Sequence, residues 1–252
     1  MGNLGLQMYS IRALTKGKML SVLGNVKKMG FDGVEFAGYD DLDAKVLATA
    51  LKDNGLVVAG SHIQLPAFKE DLDGVIAYAK ELGLVNCIVP MVRPGAELSW
   101  GDAWKQIADE FNEIAAKITA AGLVFGYHNH SFEYEPKDGV RAIDVLYNNT
   151  DHNLVKLQLD TCWVENTGTS AIETMKLFAP ALKFLHIKEL TAVGDPTALP
   201  VGDGCIDFPP IINLGKELGV EWYVIEHEDR TTDADVLYRD IGKGAAYLKT
   251  LL

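Results

Sequence analysis

Eight short apolar runs, each followed by a stretch with helical periodicity, constrain the fold of this chain more than any other feature. The runs fall at 4–10, 33–36, 56–63, 86–91, 123–130, 155–160, 183–189 and 221–228. The helical stretches fall at 18–30, 41–55, 70–83, 99–122, 139–151, 169–182, 209–219 and 233–252. Boundary chemistry agrees with the pattern. Gly30, Gly55 and Gly122 stand where helices should stop, Asp41 is a cap candidate, and Pro209 and Pro210 suit a first helical turn. Pro180 should interrupt the stretch that begins at 169. Strands that alternate with helices run parallel, and eight such units fit a closed (β/α)₈ barrel better than an open doubly wound sheet. No Pro-, Gly- or Ser-rich linker divides the chain, so one domain over residues 1–252 is expected. The longest irregular stretch, 190–208, reads as an active-site loop.

Charge narrows the function classes. Asp and Glu number 35 against 23 Lys and Arg, a formal charge of −12, which disfavours nucleic-acid and membrane-surface roles. Cys87, Cys162 and Cys205 are odd in number and show no metal-knuckle spacing, so free thiols and a cytoplasmic location are expected. The first residues lack the order of a signal peptide, and no apolar run reaches membrane-spanning length.

Four successive strands end in groups that ligate metals or move protons: His128, Asp160, His186 and Glu226. Active sites of (β/α)₈ barrels lie at the C-terminal ends of the strands. Alternation puts Gln158 with Asp160 on one face and Phe184, His186 and Lys188 on another. If those faces point inward, the ligands converge. Any one of these residues alone is more often a helix cap or a surface group. Together they point to one divalent ion, and carboxylates with imidazole suit Mn²⁺, Mg²⁺, Zn²⁺ or Co²⁺. The open coordination positions of such a site would take substrate oxygens.

The segments GVEF, SHI, YHNHSFE, LDTCW, HIKE and VGDGCIDFPPI resemble the xylose isomerase-like TIM barrels of the sugar phosphate isomerase/epimerase superfamily, over nearly the whole chain. The resemblance implies a metal held by Glu, Asp, His and Glu from the second half of the barrel. Asp160, His186 and Glu226 match the last three. The strand-five position departs, falling on His128 with His130 and Glu133 close by. Epimerases of this superfamily resemble a two-base design in which two glutamates remove and return a proton beside a carbonyl. Here Glu226 matches one base, and the other would be Glu133, His130, His62 or Lys188. YHNH also resembles the His-rich segment of inosose dehydratase relatives, which eliminate water.

Supporting residues carry two readings each. Glu35 would bind a hydroxyl or act as a base, or else pair with a buried cation. His62 would donate to a substrate oxygen, or serve the structure. Lys188 would neutralise an enediolate, or pair with an acid. Trp163 would stack on a sugar ring, or belong to the core. Gln158 would support a metal ligand, or line a polar layer. Gln7 and Tyr9 would line the floor of the site. The expected function is a metal-dependent isomerase or epimerase of a keto-sugar or related polyol, working by proton abstraction next to a carbonyl. The alternative is a lyase or dehydratase of a keto-inositol or 3-keto sugar on the same metal. A zinc nuclease is disfavoured by the charge of −12, and a metal-free sugar-binding barrel would be indifferent to chelation. Self-association into a homo-oligomer stays open.

Overall fold

The structure, a computed structural model, describes residues 2–228 and 231–252. All eight expected strands form: β1 (Asn3–Gln7), β2 (Gly33–Ala37), β3 (Val57–His62), β4 (Asn86–Val89), β5 (Val124–His128), β6 (Val155–Asp160), β7 (Leu182–Ile187) and β8 (Trp222–Ile225). Each pairs in parallel with its sequence neighbours, and β8 returns to β1, closing a (β/α)₈ TIM barrel. Helices follow the strands in order. The first half carries α1 (Arg12–Thr15), α2 (Met19–Lys28), α3 (Ala44–Asp53), α4 (Leu65–Glu70), α5 (Leu72–Leu82) and α6 (Trp100–Ala120). The second half carries α7 (Ala142–Asn149), α8 (Thr161–Asn166), α9 (Ala171–Leu177), α10 (Phe208–Glu217) and α11 (Ala234–Lys249).

Local chemistry sets several boundaries that periodicity placed elsewhere. β1 ends at Gln7 because the Gln7 side chain accepts from Tyr9 N–H and starts a 3₁₀ turn over Met8–Ile11. Asp43, not Asp41, caps α3 by accepting from Lys45 N–H. The stretch 70–83 divides at Asp71, whose side chain caps α5. The stretch from 169 is already finished at Leu177, before Pro180 is reached.

The barrel interior is layered. At its floor Ala59, Ile88, Phe184, Trp222 and Val224 pack on one another. Gly33 makes room for this layer: a Cβ there would stand 2.7 Å from Val57 O and 2.8 Å from the Trp222 ring. Above the floor the interior turns polar with buried Gln7, Glu35, Gln158 and His186. Outward-facing Leu6, Val34, Phe125, Leu159 and Leu185 bury against the apolar faces of the helices. Both strand faces are therefore dry, and the polar groups at the strand ends have no route to water except upward through the mouth.

The segment between β7 and α10, expected to be an active-site loop, packs elsewhere. Buried Glu189 gathers it: Oε1 accepts from Leu190 and Ile206 N–H, and Oε2 from Gly202 N–H. Gly204 approaches Leu190 O too closely for any Cβ, and Asp203 pairs with Lys243 of α11 at 2.6 Å. No residue of 190–207 is among those lining the main cavity.

Candidate metal centre and active-site cavity

The register of β5 to β8 brings the expected ligands together. Asp160 pairs across from His186, and His128 across from Gln158. One ligand atom from each of His128, Asp160, His186 and Glu226 falls within a set whose members all lie within 4.8 Å of one another. All four residues are buried.

Each ligand is held by its neighbours. Asp160 ends β6 and caps α8, its Oδ1 accepting from Trp163 N–H at 3.0 Å. Its Oδ2 is buried with no hydrogen-bond partner among the described residues. Asn129 fixes the backbone below, accepting from Asp160 N–H at 3.0 Å. His186 Nε2 lies 2.6 Å from Glu35 Oε1. Donation there leaves Nδ1 facing Glu226 Oε2 at 3.2 Å and Asp160 Oδ2 at 4.0 Å. His128 has its Nδ1 buried without a partner among the described residues, and its ring centroid lies 4.5 Å from that of His186.

Electrostatics separate the four. Burial raises the Asp160 carboxyl to about 7, against the pull of Lys188 and His186. Burial also works against charge on Glu226, but the His186 hydrogen bond and charge hold it at about 2. Burial works against charge on His186, yet Glu35 and Glu226 raise it to about 10. His128 is held well below the ordinary value by burial and by the neighbouring His186 and His62. A buried carboxylate oxygen without a donor, a neutral imidazole and two further ligand atoms within reach fit a divalent cation. The residues that would hold it are His128, Asp160, His186 and Glu226. His62, His128 and His186 also cluster, but His62 Nε2 is committed 2.8 Å from Gln158 Oε1, and that set brings no carboxylate.

Glu35 sits below the ligands rather than at the mouth. It accepts from Gln7 Nε2 at 2.7 Å and Gln158 Nε2 at 2.5 Å besides His186. Burial opposes its charge, but His62 and His186 keep it far below the usual carboxylate range. A fully committed carboxylate of this kind orients an imidazole, so its expected role as catalytic base finds no support. Glu133 is likewise off the cavity. β5 has ended at His128, and the turn that follows points Glu133 inward, where it accepts from Tyr127 OH at 2.5 Å and His130 N–H at 2.8 Å. Burial raises its carboxyl to about 7 despite those bonds. Lys188 is buried beneath the Trp163 face, its Nζ 3.9 Å from the ring centroid and 2.9 Å from Glu228 Oε2. Burial opposes its charge, while Glu226, Asp160 and Glu228 raise its pKa above the ordinary lysine value. It balances the acids from below the cavity lining.

A cavity of about 1060 Å³ opens above the ligands. His128, His130, Trp163, Glu226 and Glu228 line it from the β5–β8 side. His62 lines it too, as does Tyr9. Burial keeps His130 neutral, at about 4. Sequence reasoning missed Glu228, although it stands two residues beyond Glu226 in the alternation, and missed Arg12 and Arg93, for which the sequence holds no signal. It also missed Asn129, which lies inside the YHNH segment.

Known proteins share this arrangement of elements. Inosose dehydratase from Clostridium botulinum (strain Alaska E43 / Type E3) is 27% identical across 87% of this chain and 85% of its own length. A crystallised sugar phosphate isomerase/epimerase from Parabacteroides distasonis superposes with a TM-score of 0.84 at 26% identity, covering 99% of this chain and 94% of that one. L-Ribulose 3-epimerase shares the fold, with a TM-score of 0.76 at 19% identity over 99% of this chain and 94% of its own. Residues 23–251 match the profile of one family, which takes in every candidate ligand and nearly all of the barrel, and the chain belongs to that family, the xylose isomerase-like TIM barrels.

Proposed function

We propose that this chain is a divalent-metal-dependent dehydratase of a keto-polyol, a keto-inositol or keto-sugar, acting by removal of the proton next to the carbonyl. One observation carries the reading: among the four ligand candidates, Glu226 is the one carboxylate that lines the cavity, because β5 contributes His128. A single carboxylate suffices for elimination, whereas inversion needs a second group to return the proton from the opposite face. The similarity to inosose dehydratase across 87% of the chain supports it.

When bound, a divalent ion supplies Lewis-acid polarisation of the substrate carbonyl. The chain's own residues do the rest. Glu226, kept ionised by His186 and Lys188, takes the proton from the carbon next to the carbonyl. The C–H electron pair becomes a C=C bond as the C–O bond at the next carbon breaks. The departing hydroxyl leaves as water with the proton that Glu226 carried. His130, neutral and on the cavity wall, offers its ring N–H to that hydroxyl, and Trp163 packs against the ring's apolar face. Glu35, Gln7 and Gln158 keep His186 in place, and the Lys188 ammonium offsets the charge of Glu226, Asp160 and Glu228.

The second reading is an isomerase or epimerase of a keto-sugar. Glu228 favours it, since it also lines the cavity and offers a second carboxylate. Incubation of the Mn²⁺-loaded protein with a keto-inositol in D₂O separates the two. An unsaturated ketone with ultraviolet absorbance is the expected product. Deuterium in recovered ketone without loss of water would instead establish the second reading.

A further inference from the structure

The mouth of the cavity has two unlike halves. The ends of β5–β8 and the segments after them bring His128, His130, Glu226 and Glu228, while His62 at the end of β3 is the imidazole of the other half, its Nε2 committed 2.8 Å from Gln158 Oε1. The ends of β1–β4 and the segments after them bring Ala37, Tyr39, Ile63, Ala67, Pro90 and Met91, an apolar patch of wall. The Tyr39 hydroxyl is already spent, donating to Ser61 Oγ at 2.8 Å. Gln64 is the one side-chain amide lining that half among the described residues, and no carboxylate lines it. Arg12 and Arg93 stand at its rim, their guanidinium carbons 4.1 Å and 4.8 Å from the ring centroids of Tyr9 and Phe132. They present flat cationic faces of the kind that stack on aromatic rings.

A free polyol suits the β5–β8 half better, because the polar groups of the other half stand at its rim or are already paired. Hydroxyls pressed on the apolar wall would lose water without gaining partners, at about 1–3 kcal/mol each. The cavity of about 1060 Å³ is also far larger than one six-carbon ring requires; pockets of about 300–1,000 Å³ enclose drug-sized ligands. We infer that the β1–β4 half of the mouth is a subsite for an aromatic group, so that the substrate is a keto-polyol joined to an aromatic ring. The inference deepens the proposed function and rests on it for the polyol end alone. The polyol sits over the β5–β8 ligand candidates, and the aromatic ring lies between Tyr39 and Met91 with its face toward the Arg93 guanidinium.

The test compares phenyl β-D-glucopyranoside with methyl β-D-glucopyranoside, by calorimetry and saturation-transfer NMR on the Mn²⁺-loaded protein. The phenyl glucoside should bind at least about tenfold more tightly, with the strongest saturation on its aryl protons. Met91→Ala and Arg93→Ala should each shrink that ratio while leaving the methyl glucoside unchanged. Equal affinities, no detectable binding of the phenyl glucoside, or a ratio that survives both substitutions would overturn the subsite. Asp160→Asn should retain the phenyl preference after losing its metal. A failed metal set would therefore leave the preference standing, and a missing preference in metal-loaded protein would sink the subsite alone.

Discussion

Glu35 does not line the cavity, yet it fixes His186, one of the candidate ligands, through a hydrogen bond to Nε2. Removing it leaves that nitrogen buried without an acceptor and frees the ring to turn. Glu35→Ala is expected to weaken Mn²⁺ binding roughly 10–100-fold in a calorimetric titration; affinity within a factor of two of wild type would contradict the orienting role. Glu133 is a separate case, because it titrates away from the ligands. Its carboxyl stands at about 7 in the folded protein against an ordinary 4.5. A folded value above the unfolded one means that the contribution to stability is complete below about 4.5 and is lost as pH rises through about 7. Comparing wild type with Glu133→Gln by urea denaturation across that range should show wild type losing roughly 3 kcal/mol relative to the variant. A difference independent of pH would show that the carboxyl does not titrate there. That His128, Asp160, His186 and Glu226 come together was legible in the sequence because strand alternation carries direction. Sequence reasoning misplaced Glu133 because alternation ends with β5 at His128, and nothing in SFE says which way a turn faces.

At the scale of elements, two short segments carry the precision of the site. Asp160 both caps α8 and keeps a buried Oδ2 that, on the proposed reading, is a metal ligand. Asp160→Asn keeps an oxygen for Trp163 N–H, so it should lose the metal while changing stability by less than about 1 kcal/mol. Asp160→Ala should lose both and destabilise the protein by a further ~1 kcal/mol. Thermal denaturation of the two metal-free variants, side by side, checks this. Glu189 anchors the segment that leads into α10 by accepting from three backbone N–H groups. Glu189→Ala should cost about 3 kcal/mol and raise hydrogen exchange across 190–207; unchanged exchange there would refute the anchoring role. Neither device is legible beforehand. The strand run ends at Asp160 in the sequence as in the structure, but α8 after it, at six residues, is too short to show a period. An irregular stretch shows its length but not the buried carboxylate that folds it back.

Across the whole molecule, the eightfold repeat was the legible part. Each βα unit has an apolar strand and an amphipathic helix, and that pairing leaves few architectures. What the repeat does not reveal is how the interior fills. The floor depends on Trp222 occupying the space that Gly33 leaves free. Gly33→Ala should therefore destabilise the barrel by about 1–3 kcal/mol, read as a lower denaturation midpoint with an unchanged slope. Register shifts between Val34 and Glu35 and between Leu157 and Gln158 decide which polar groups meet above that floor, and periodicity is blind to both. With these in place, the barrel presents two carboxylates and two imidazoles at one point. The most direct test is a calorimetric titration of chelator-stripped protein with Mn²⁺, beside Asp160→Asn. The account predicts one ion bound per wild-type chain and none by the variant. No binding by wild type, or equal binding by both, would contradict it.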